Sequence, residues 1–179
     1  MSERNSFHAR VSVQEADFDV GAEVGSLHGG SGQVGAVASF VGLVRDINEG
    51  AGVTAMTLEH YPGMPEKALE EIVAQARERW ALLGVSVIHR FGRFVPTDRI
   101  VFVGVASAHR GEAFAACEFI MDYLKTRAPF WKREETPAGA RWVDARDSDD
   151  SAAARWQTAG GEHAAESDEL SWEEVERRR

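Results

Sequence analysis

The chain has 179 residues, of which 44% are hydrophobic and 27% are charged, and its formal net charge at pH 7 is −9. This composition excludes a wholly disordered or fibrous protein, and the negative charge argues against broad binding to nucleic acid or membrane surfaces. A single cysteine excludes an internal disulfide framework and a metal site built from several cysteines.

The first half of the chain predicts strands separated by glycine-rich loops. Residues 1–6 lead into no apolar signal-peptide core, so we expect a cytoplasmic protein. The predicted elements are a strand over Phe7–Val13, a short helix over Asp17–Leu27, an apolar strand over Val34–Arg45 and a strand over Val53–Tyr61. Asp46–Gly52 is expected to be a mobile loop, and Gly35 and Gly42 indicate bulges or close backbone approach.

The second half predicts two long helices that alternate with strands. The first helix begins near Pro65 and ends at Gly84, and its buried stripe is Leu69, Ile72, Val73, Ala76, Trp80 and Leu83. The further elements are a strand over Val85–Phe91, a buried strand over Arg99–Ser107, a helix over Gly111–Thr126 and a last strand at Trp142 and Val143. Pro129 cannot continue the second helix, so the chain turns back there.

The order of these elements predicts an α+β fold in which the helices pack on one face of a largely antiparallel sheet. After Asp147 the sequence loses its apolar periodicity, and residues 144–179 contain 11 acidic and 5 basic residues. We therefore expect one domain over residues 1–147 and an acidic, mostly disordered tail over 148–179, with a short helical patch near Trp156.

The first candidate site is the junction at Ser107–Gly111, where a strand ends and a helix begins. Free backbone N–H groups and the positive end of the helix point into one spot there. His109 and Arg110 add side-chain donors, and the forked guanidinium suits a phosphate. On the junction alone two interpretations stay open, an anion site or a helix capped by His109 beside a solvated Arg110.

The second candidate is a compact basic spot on an acidic chain. Residues 123–133 contain no acid and four cations, Lys125, Arg127, Lys132 and Arg133. One interpretation is simple capping of the helix C-terminus by Lys125 and Arg127. In the other, Phe130 and Trp131 anchor the returning segment and hold Lys125 beside Lys132 in a partly dry site. A neighbouring cation and desolvation both lower the pKa of a lysine, which makes a neutral amine available near pH 7.

Arg45 is the third candidate, because it ends an apolar strand just before a glycine-rich loop, where sites with a mobile lid often carry a cation. The alternative is a surface arginine paired with Asp46. His60 and His89 alternate with apolar neighbours, which favours structural histidines over ligands. Cys117 lies on an apolar helical stripe and is expected in the core. The chain has no HExxH motif and no paired Cys/His spacing, so we predict no metal and no cofactor.

Four short segments carry a resemblance to a known family. They are LEHYPGM at 58–64, VIHR at 87–90, SAHR at 107–110 and MDYLKTRAPFWKRE at 121–134. In this order and spacing they resemble the large, catalytic subunits of molybdopterin synthase, over about residues 34–156. The segment around Lys125 is the most specific of the four. The resemblance implies an α/β hammerhead fold and a dimer of catalytic subunits.

The resemblance also implies a sulfurtransferase. In that family each catalytic subunit binds a small ubiquitin-like sulfur-carrier subunit, whose C-terminal Gly-Gly thiocarboxylate enters the active site. The reaction places two sulfurs on cyclic pyranopterin monophosphate and forms the dithiolene of molybdopterin. By motif, Lys125 and Lys132 match the catalytic lysines. The matched substrate-binding positions are these two lysines with Arg45, His109, Arg110, Arg133 and Glu134, and with backbone groups of Leu43 and Val44.

Two other functions stay open on the residues alone. The first is an acyl or sulfur transfer to a phosphate-bearing substrate from a different carrier. The second is a non-catalytic module that binds a ubiquitin-like partner through exposed edge strands. Because Cys117 is expected to be buried, a sulfurtransferase, whether a molybdopterin synthase or one with a different carrier, must receive its sulfur from outside the chain.

Overall fold

A computed structural model describes residues 7–48, 50–143 and 147–158. Its strands are β1 (His8–Gln14), β2 (Ala36–Leu43), β3 (Ile47–Asn48), β4 (Ala51–Gly52), β5 (Ala55–His60), β6 (Leu82–Arg90), β7 (Gly92–Phe94), β8 (Arg99–Ser107), β9 (Phe130–Thr136) and β10 (Gly139–Val143). Its helices are α1 (Val20–His28), α2 (Met64–Arg79), α3 (Arg110–Arg127) and α4 (Asp147–Thr158). None of the helices in the described ranges is long and apolar enough to cross a membrane.

The larger part of the core is built on a four-stranded sheet with the order β1-β6-β8-β2. β1 runs parallel to β6, and the other neighbours are antiparallel. The central strand β8 is buried on both faces, as its apolar sequence predicts. Val101, Val103 and Val105 pack with α2 and α3, while Phe102 and Ala106 pack with α1. The expectation that the helices share one face is therefore wrong for α1, which covers the opposite face.

A second four-stranded sheet, with the order β10-β9-β5-β7, is antiparallel throughout. Met56 and Leu58 of β5 are buried and Glu59 is exposed, as expected for a strand that buries one face. The sequence pattern does not predict β7 or β9, because β7 has three residues and β9 is rich in charged residues. The α+β class with largely antiparallel pairing is confirmed, since β1 with β6 is the parallel pair among the described strands.

Helix α2 ends at Arg79, before the stop predicted at Gly84. Trp80 closes the helix by donating its backbone N–H to the Ala76 carbonyl oxygen, and the chain then continues directly into β6. Gly84 lies inside β6, where a Cβ would come within 3.1 Å of the Leu27 carbonyl oxygen of α1. The helix-stop prediction is therefore wrong, and the glycine instead allows α1 to pack closely on the sheet.

Two other glycines allow close backbone approach at β2, as predicted. A Cβ on Gly35 would lie 2.2 Å from the Ala108 carbonyl oxygen, and a Cβ on Gly42 would lie 2.4 Å from Val101 Cγ1. The register of β2 on β8 also shifts between Gly42 and Leu43. Gly42 pairs with Val101 and Leu43 pairs with Arg99, so Ile100 of β8 is the extra residue at this irregularity.

The segment expected to be a mobile loop, Asp46–Gly52, contains the two-stranded ribbon β3–β4. Ile47 pairs with Gly52 and Asn48 pairs with Ala51. The prediction of a mobile loop is therefore wrong for the paired residues. The ribbon buries the Asn48 side chain, whereas a solvated loop would leave it exposed.

Helix α4 packs on α3 and extends the helical patch predicted near Trp156. The Trp156 ring lies edge-on to Phe119 with the centroids 5.5 Å apart, and its Nε1–H donates to Asp122 Oδ2 at 2.7 Å. The predicted boundary between domain and tail falls at the first residue of this helix, so the packed domain reaches Thr158. Residues 159–179 of the predicted tail lie outside the described residues.

Asp17 joins the segment after β1 to the central strands. Its carboxylate accepts hydrogen bonds from the Arg99 guanidinium, one of them from Nε at 3.0 Å, and lies 3.5 Å from Arg90 Nη1. The Arg99 hydrogen bond outweighs burial and, together with the Phe18 backbone N–H, lowers the pKa of Asp17 to about 2 from an ordinary value of 3.8.

We expect Asp17→Asn to lower the free energy of unfolding at neutral pH. A folded-state pKa below the unfolded value contributes stability that is present above pH 3.8 and is lost as the pH falls to about 2. The side chain is 48% exposed, so the loss is less than about 1 kcal/mol. Urea unfolding at several pH values checks this. The difference in free energy of unfolding between variant and wild type should shrink as the pH falls. A difference that stays constant would contradict the stabilising role of the Asp17 charge.

Candidate active site

A cavity of about 360 Å³ opens where the end of β2, the last turn of α3 and the second sheet meet. Its apolar lining includes Met56, Leu58, Ile100, Val101, Leu124 and Phe130. Its polar lining consists of Arg45, Asn48, His89, Lys125, Thr126, Lys132, Glu134 and Asp149. Leu43 and Val44 also line it, so the structure brings six of the nine predicted site residues together.

Lys125 and Lys132 enter the cavity from the two sides of the chain reversal at Pro129. Lys125 lies on the last turn of α3 and Lys132 lies on β9. The helix ends because the residue before a proline is pushed out of helical geometry, and Ala128 is extended while its N–H donates to the Leu124 carbonyl oxygen. Two ammonium groups thus share one cavity in a chain of net charge −9.

The basic residues of this segment differ in their surroundings. The Lys132 side chain is 31% exposed and its Nζ lies 2.7 Å from Glu134 Oε1, whereas Lys125 is exposed. Arg127 lies outside the cavity, over the Tyr123 ring at 3.9 Å from its centroid. The partly dry environment expected for both lysines is therefore found for Lys132.

Strand β9 sorts its residues onto two faces. Alternation places Phe130, Lys132 and Glu134 toward the cavity and Arg133 on the other side of the sheet. The Arg133 guanidinium lies 5.8 Å from the ring centroid of Trp142. The predicted substrate-binding position of Arg133 is therefore not part of this cavity.

Glu134 is 1% exposed, and three protein donors hold its carboxylate. Oε1 accepts from Lys132 Nζ at 2.7 Å and from Asn48 Nδ2 at 2.8 Å, and Oε2 accepts from Arg141 Nη2 at 3.2 Å. Burial by itself would raise the pKa of Glu134, but these hydrogen bonds outweigh it and hold the pKa below its usual range. The carboxylate is thus a charged group that holds Lys132 in place, and its predicted contact with a substrate stays a prediction.

Leu43, Val44 and Arg45 follow the bulge at the end of β2. The Val44 backbone N–H donates to the Asp98 carbonyl oxygen and its carbonyl accepts from the Thr97 N–H, both at 2.9 Å. These bonds anchor the segment and occupy the Val44 N–H, and the predicted backbone contact of Leu43 and Val44 with a substrate stays a prediction. Arg45 lines both the cavity and an adjacent hollow, which places it in the site, as the third candidate requires.

His109 and Arg110 lie at the opposite end of α3 from Lys125. A helix of 18 residues is about 27 Å long, so the two ends are remote from each other within one chain. Both side chains are exposed, and His109 makes no capping hydrogen bond although it is the N-cap residue. A single chain therefore does not bring these two residues to Lys125.

Comparison with known proteins places this chain in a family. The family described as MoaE protein matches residues 13–127. A molybdopterin synthase catalytic subunit from Ralstonia nicotianae is 66% identical over 146 residues, which are 82% of this chain and 83% of the relative. The chain belongs to the MoaE family. Among solved structures, a MoaE protein from Burkholderia ambifaria MC40-6 has 56% identity and a TM-score of 0.72, and the match covers 83% of this chain and 98% of that one.

The MoaE fold extends to a more distant structure. The complex of subunits 1 and 2 of molybdopterin-converting factor from Helicobacter pylori 26695 matches with 16% identity and a TM-score of 0.61. The match covers 77% of this chain and 91% of that chain. At this level of identity the likeness concerns the fold alone.

Four polar residues that line the cavity are missing from the sequence-based site: Asn48, His89, Thr126 and Asp149. Asn48 lies on the ribbon expected to be a loop, and Asp149 lies on the helix expected in the tail. His89 is the last inward-facing residue of β6 after Val85 and Val87, and a polar residue at the end of an apolar strand face is a signal that can identify it. No local signal marks Asn48 or Asp149, because both reach the cavity through tertiary packing.

Cys117 is buried between α3 and β8, with its Sγ 3.8 Å from the Val103 carbonyl oxygen. Its core placement is confirmed. Burial raises the pKa of the thiol to about 11, so it is protonated at neutral pH and is a poor sulfur nucleophile. The described residues contain no group of three or more side chains suited to holding a metal ion.

Proposed function

We propose that this chain is a sulfurtransferase, the catalytic subunit of a molybdopterin synthase. It moves sulfur from the C-terminal Gly-Gly thiocarboxylate of a small ubiquitin-like carrier subunit to cyclic pyranopterin monophosphate, and so forms the dithiolene of molybdopterin. The observation that carries the proposal is the single cavity in which Lys125 and Lys132 converge beside Arg45.

The charge of the cavity suits the reactants, because both are anions. The carrier ends in a thiocarboxylate and the substrate carries a phosphate. Three cationic side chains in one concave site lower the free energy of both anions and of the oxyanions formed during the reaction. The negative charge of the remaining surface disfavours other anions elsewhere on the molecule.

Each sulfur transfer consists of two covalent steps in this proposal. The thiocarboxylate sulfur forms a bond to a substrate carbon while the carbon–oxygen bond breaks and the oxygen leaves with its electron pair. Water then adds to the acyl carbon and the acyl–sulfur bond breaks, so the carrier departs as a carboxylate and the sulfur stays on the substrate. Lys125 donates a proton to the leaving oxygen and accepts one from the water, and Lys132 stabilises the developing negative charge.

The proposed assembly contains two copies of this chain and two carrier subunits, and it acts in the cytoplasm. A partner subunit is in keeping with the solved complex of subunits 1 and 2 of molybdopterin-converting factor from Helicobacter pylori, which shares the fold of this chain. Because His109 and Arg110 come 15 to 16 residues before Lys125, about 22 to 24 Å away along the α3 axis, we place them in the cavity of a second copy, where they bind the substrate phosphate.

Reconstitution tests the proposed function directly. The purified chain is mixed with the thiocarboxylated carrier and cyclic pyranopterin monophosphate, and the dithiolene product is quantified after oxidation to a fluorescent pterin. Carrier that ends in an ordinary carboxylate is the control. Product from the thiocarboxylated carrier alone supports the proposal. Carrier binding without product would instead indicate the non-catalytic module.

We expect Arg110→Ala to raise KM for the cyclic substrate about 10- to 100-fold with a much smaller change in kcat, since a charge-assisted hydrogen bond to phosphate is lost. Arg93→Ala is the control, because Arg93 is exposed and pairs with Glu135 on the second sheet. An unchanged KM would place the phosphate elsewhere.

A mixture of two variants tests the shared cavity. Chains with Lys125→Ala and chains with Arg110→Ala are unfolded together, refolded and assayed at low substrate concentration. If each cavity uses residues of both copies, mixed dimers contain one intact site and the sample recovers about a quarter of wild-type activity. Activity no higher than that of the separate variants would contradict the shared site.

A further inference from the structure

His89 lies in the cavity and has no role in the steps above. It is 7% exposed and lines the cavity with Lys125 and Phe130. The imidazole is stacked on the Phe130 ring, with the centroids 3.8 Å apart and the planes at 15°. Its orientation is therefore held from one side by an aromatic contact.

The hydrogen bonding of His89 determines which nitrogen faces the cavity as an acceptor. Nδ1 lies 3.0 Å from the Arg90 carbonyl oxygen, and because a carbonyl only accepts, Nδ1 carries the proton. Burial lowers the pKa of His89 to about 4, with Lys125 and His60 acting in the same direction, so the ring is neutral at pH 7. Nε2 then carries a lone pair, and no described residue donates a hydrogen bond to it.

The neighbouring groups make this lone pair selective. Arg45, Lys125 and Lys132 line the cavity as cationic donors, and protein groups occupy both oxygens of Glu134. A lone pair repels phosphate and thiocarboxylate oxygens, which are also acceptors. It attracts an N–H group without cancelling the positive charge that the anionic ends of the reactants need.

We propose that His89 is a substrate-binding residue that accepts a hydrogen bond through Nε2 from an N–H group of the substrate heterocycle. This inference rests on the proposed function. The hydrogen bond to His89 orients the substrate. The heterocycle of the substrate then lies against the apolar lining formed by Met56, Leu58 and Ile100, and its phosphate faces the cationic side of the cavity.

Two matched substitutions separate this role from a purely structural one. His89→Asn keeps an amide donor for the Arg90 carbonyl and loses the acceptor at Nε2. His89→Gln places its amide oxygen near the position of Nε2 and loses the donor to Arg90. Both variants lose the stack on Phe130. A structural role predicts that the Asn variant retains more function, and a substrate-binding role predicts that the Gln variant does.

The experiment measures the dissociation constant of cyclic pyranopterin monophosphate by calorimetry on the full chain without the carrier. It also measures KM and kcat with the thiocarboxylated carrier, and the thermal midpoint. We expect His89→Asn to weaken binding at least about fivefold and to raise KM equally, while His89→Gln stays within about twofold of wild type. An Asn variant that binds as wild type does, or a Gln variant that is impaired as strongly, overturns the inference. Absence of product with the wild-type chain would instead overturn the proposed function.

Discussion

Lys125→Ala is expected to lower the rate of dithiolene formation by about 100- to 10,000-fold, the range for loss of a general acid–base group. Lys125 is exposed and lines the cavity, which is where the proposed function places the thiocarboxylate. Lys132 cannot replace it, because the Lys132 ammonium is tied to the buried Glu134 carboxylate at 2.7 Å. Since Lys125 is exposed, we expect the thermal midpoint to change by no more than about 2 °C.

The chain offers a matched control for this variant. Lys67 is its remaining lysine and lies exposed on α2, outside the cavity lining, so Lys67→Ala should retain full activity. Single-turnover assays with saturating carrier measure the chemical step, and calorimetry measures carrier binding. A Lys125→Ala chain that binds carrier normally and keeps more than about a tenth of the wild-type rate would exclude Lys125 from the acid–base role.

Lys125→Arg separates proton transfer from charge at the same position. Arginine keeps the positive charge but remains protonated at any relevant pH and cannot act as a base. We expect it to retain carrier binding and to lose most of the rate. Full activity in Lys125→Arg would show that the positive charge alone is sufficient.

Glu134→Ala is expected to destabilise the fold by about 1 to 3 kcal/mol, the cost of leaving a buried donor such as the Asn48 amide without its acceptor, because Lys132 and Arg141 are 31% and 40% exposed and can be hydrated. The carboxylate joins the ribbon, β9 and β10 through Asn48, Lys132 and Arg141, and Asn48 lies 86 positions away in the sequence. Its removal leaves these donors without their acceptor and frees the Lys132 ammonium to move. Urea unfolding at pH 7 measures the stability, and the loss of activity should persist at temperatures where the variant is folded.

The charge of Glu134 can be tested separately from its shape. Glu134→Gln keeps the size and one acceptor but loses the negative charge. Because the folded-state pKa is below the ordinary value of 4.5, the wild-type advantage in stability is present above pH 4.5 and is lost as the pH falls through the folded-state pKa. The adjacent Glu135→Gln, on the opposite face of β9 and paired with Arg93, should have a much smaller effect. Equal losses of stability at both positions would contradict a stabilising role of the buried Glu134 charge.

Sequence patterns predict most elements of this fold because periodicity and proline act over a few neighbouring residues. The apolar run of β8 predicts burial on both faces, and the helix ended by Pro129 has nearly the observed bounds of α3. The error at Gly84 has a physical cause. Leu83 continues the helical spacing of α2 by coincidence, and the glycine is required by contact with α1, which local pattern does not contain.

In the candidate site, too, some features follow from the sequence and others depend on the tertiary structure. The sequence alone determines that two lysines flank a chain reversal in an acidic protein, and that Cys117 lies on an apolar face. Only the tertiary structure decides that Glu134 serves Lys132, that His89 opens into the cavity, and that His109 and Arg110 lie at the far end of α3. The physical reason is that the partners of a buried charge, and the burial that shifts its pKa, come from strands and helices remote in the sequence, and their packing is a property of the whole fold.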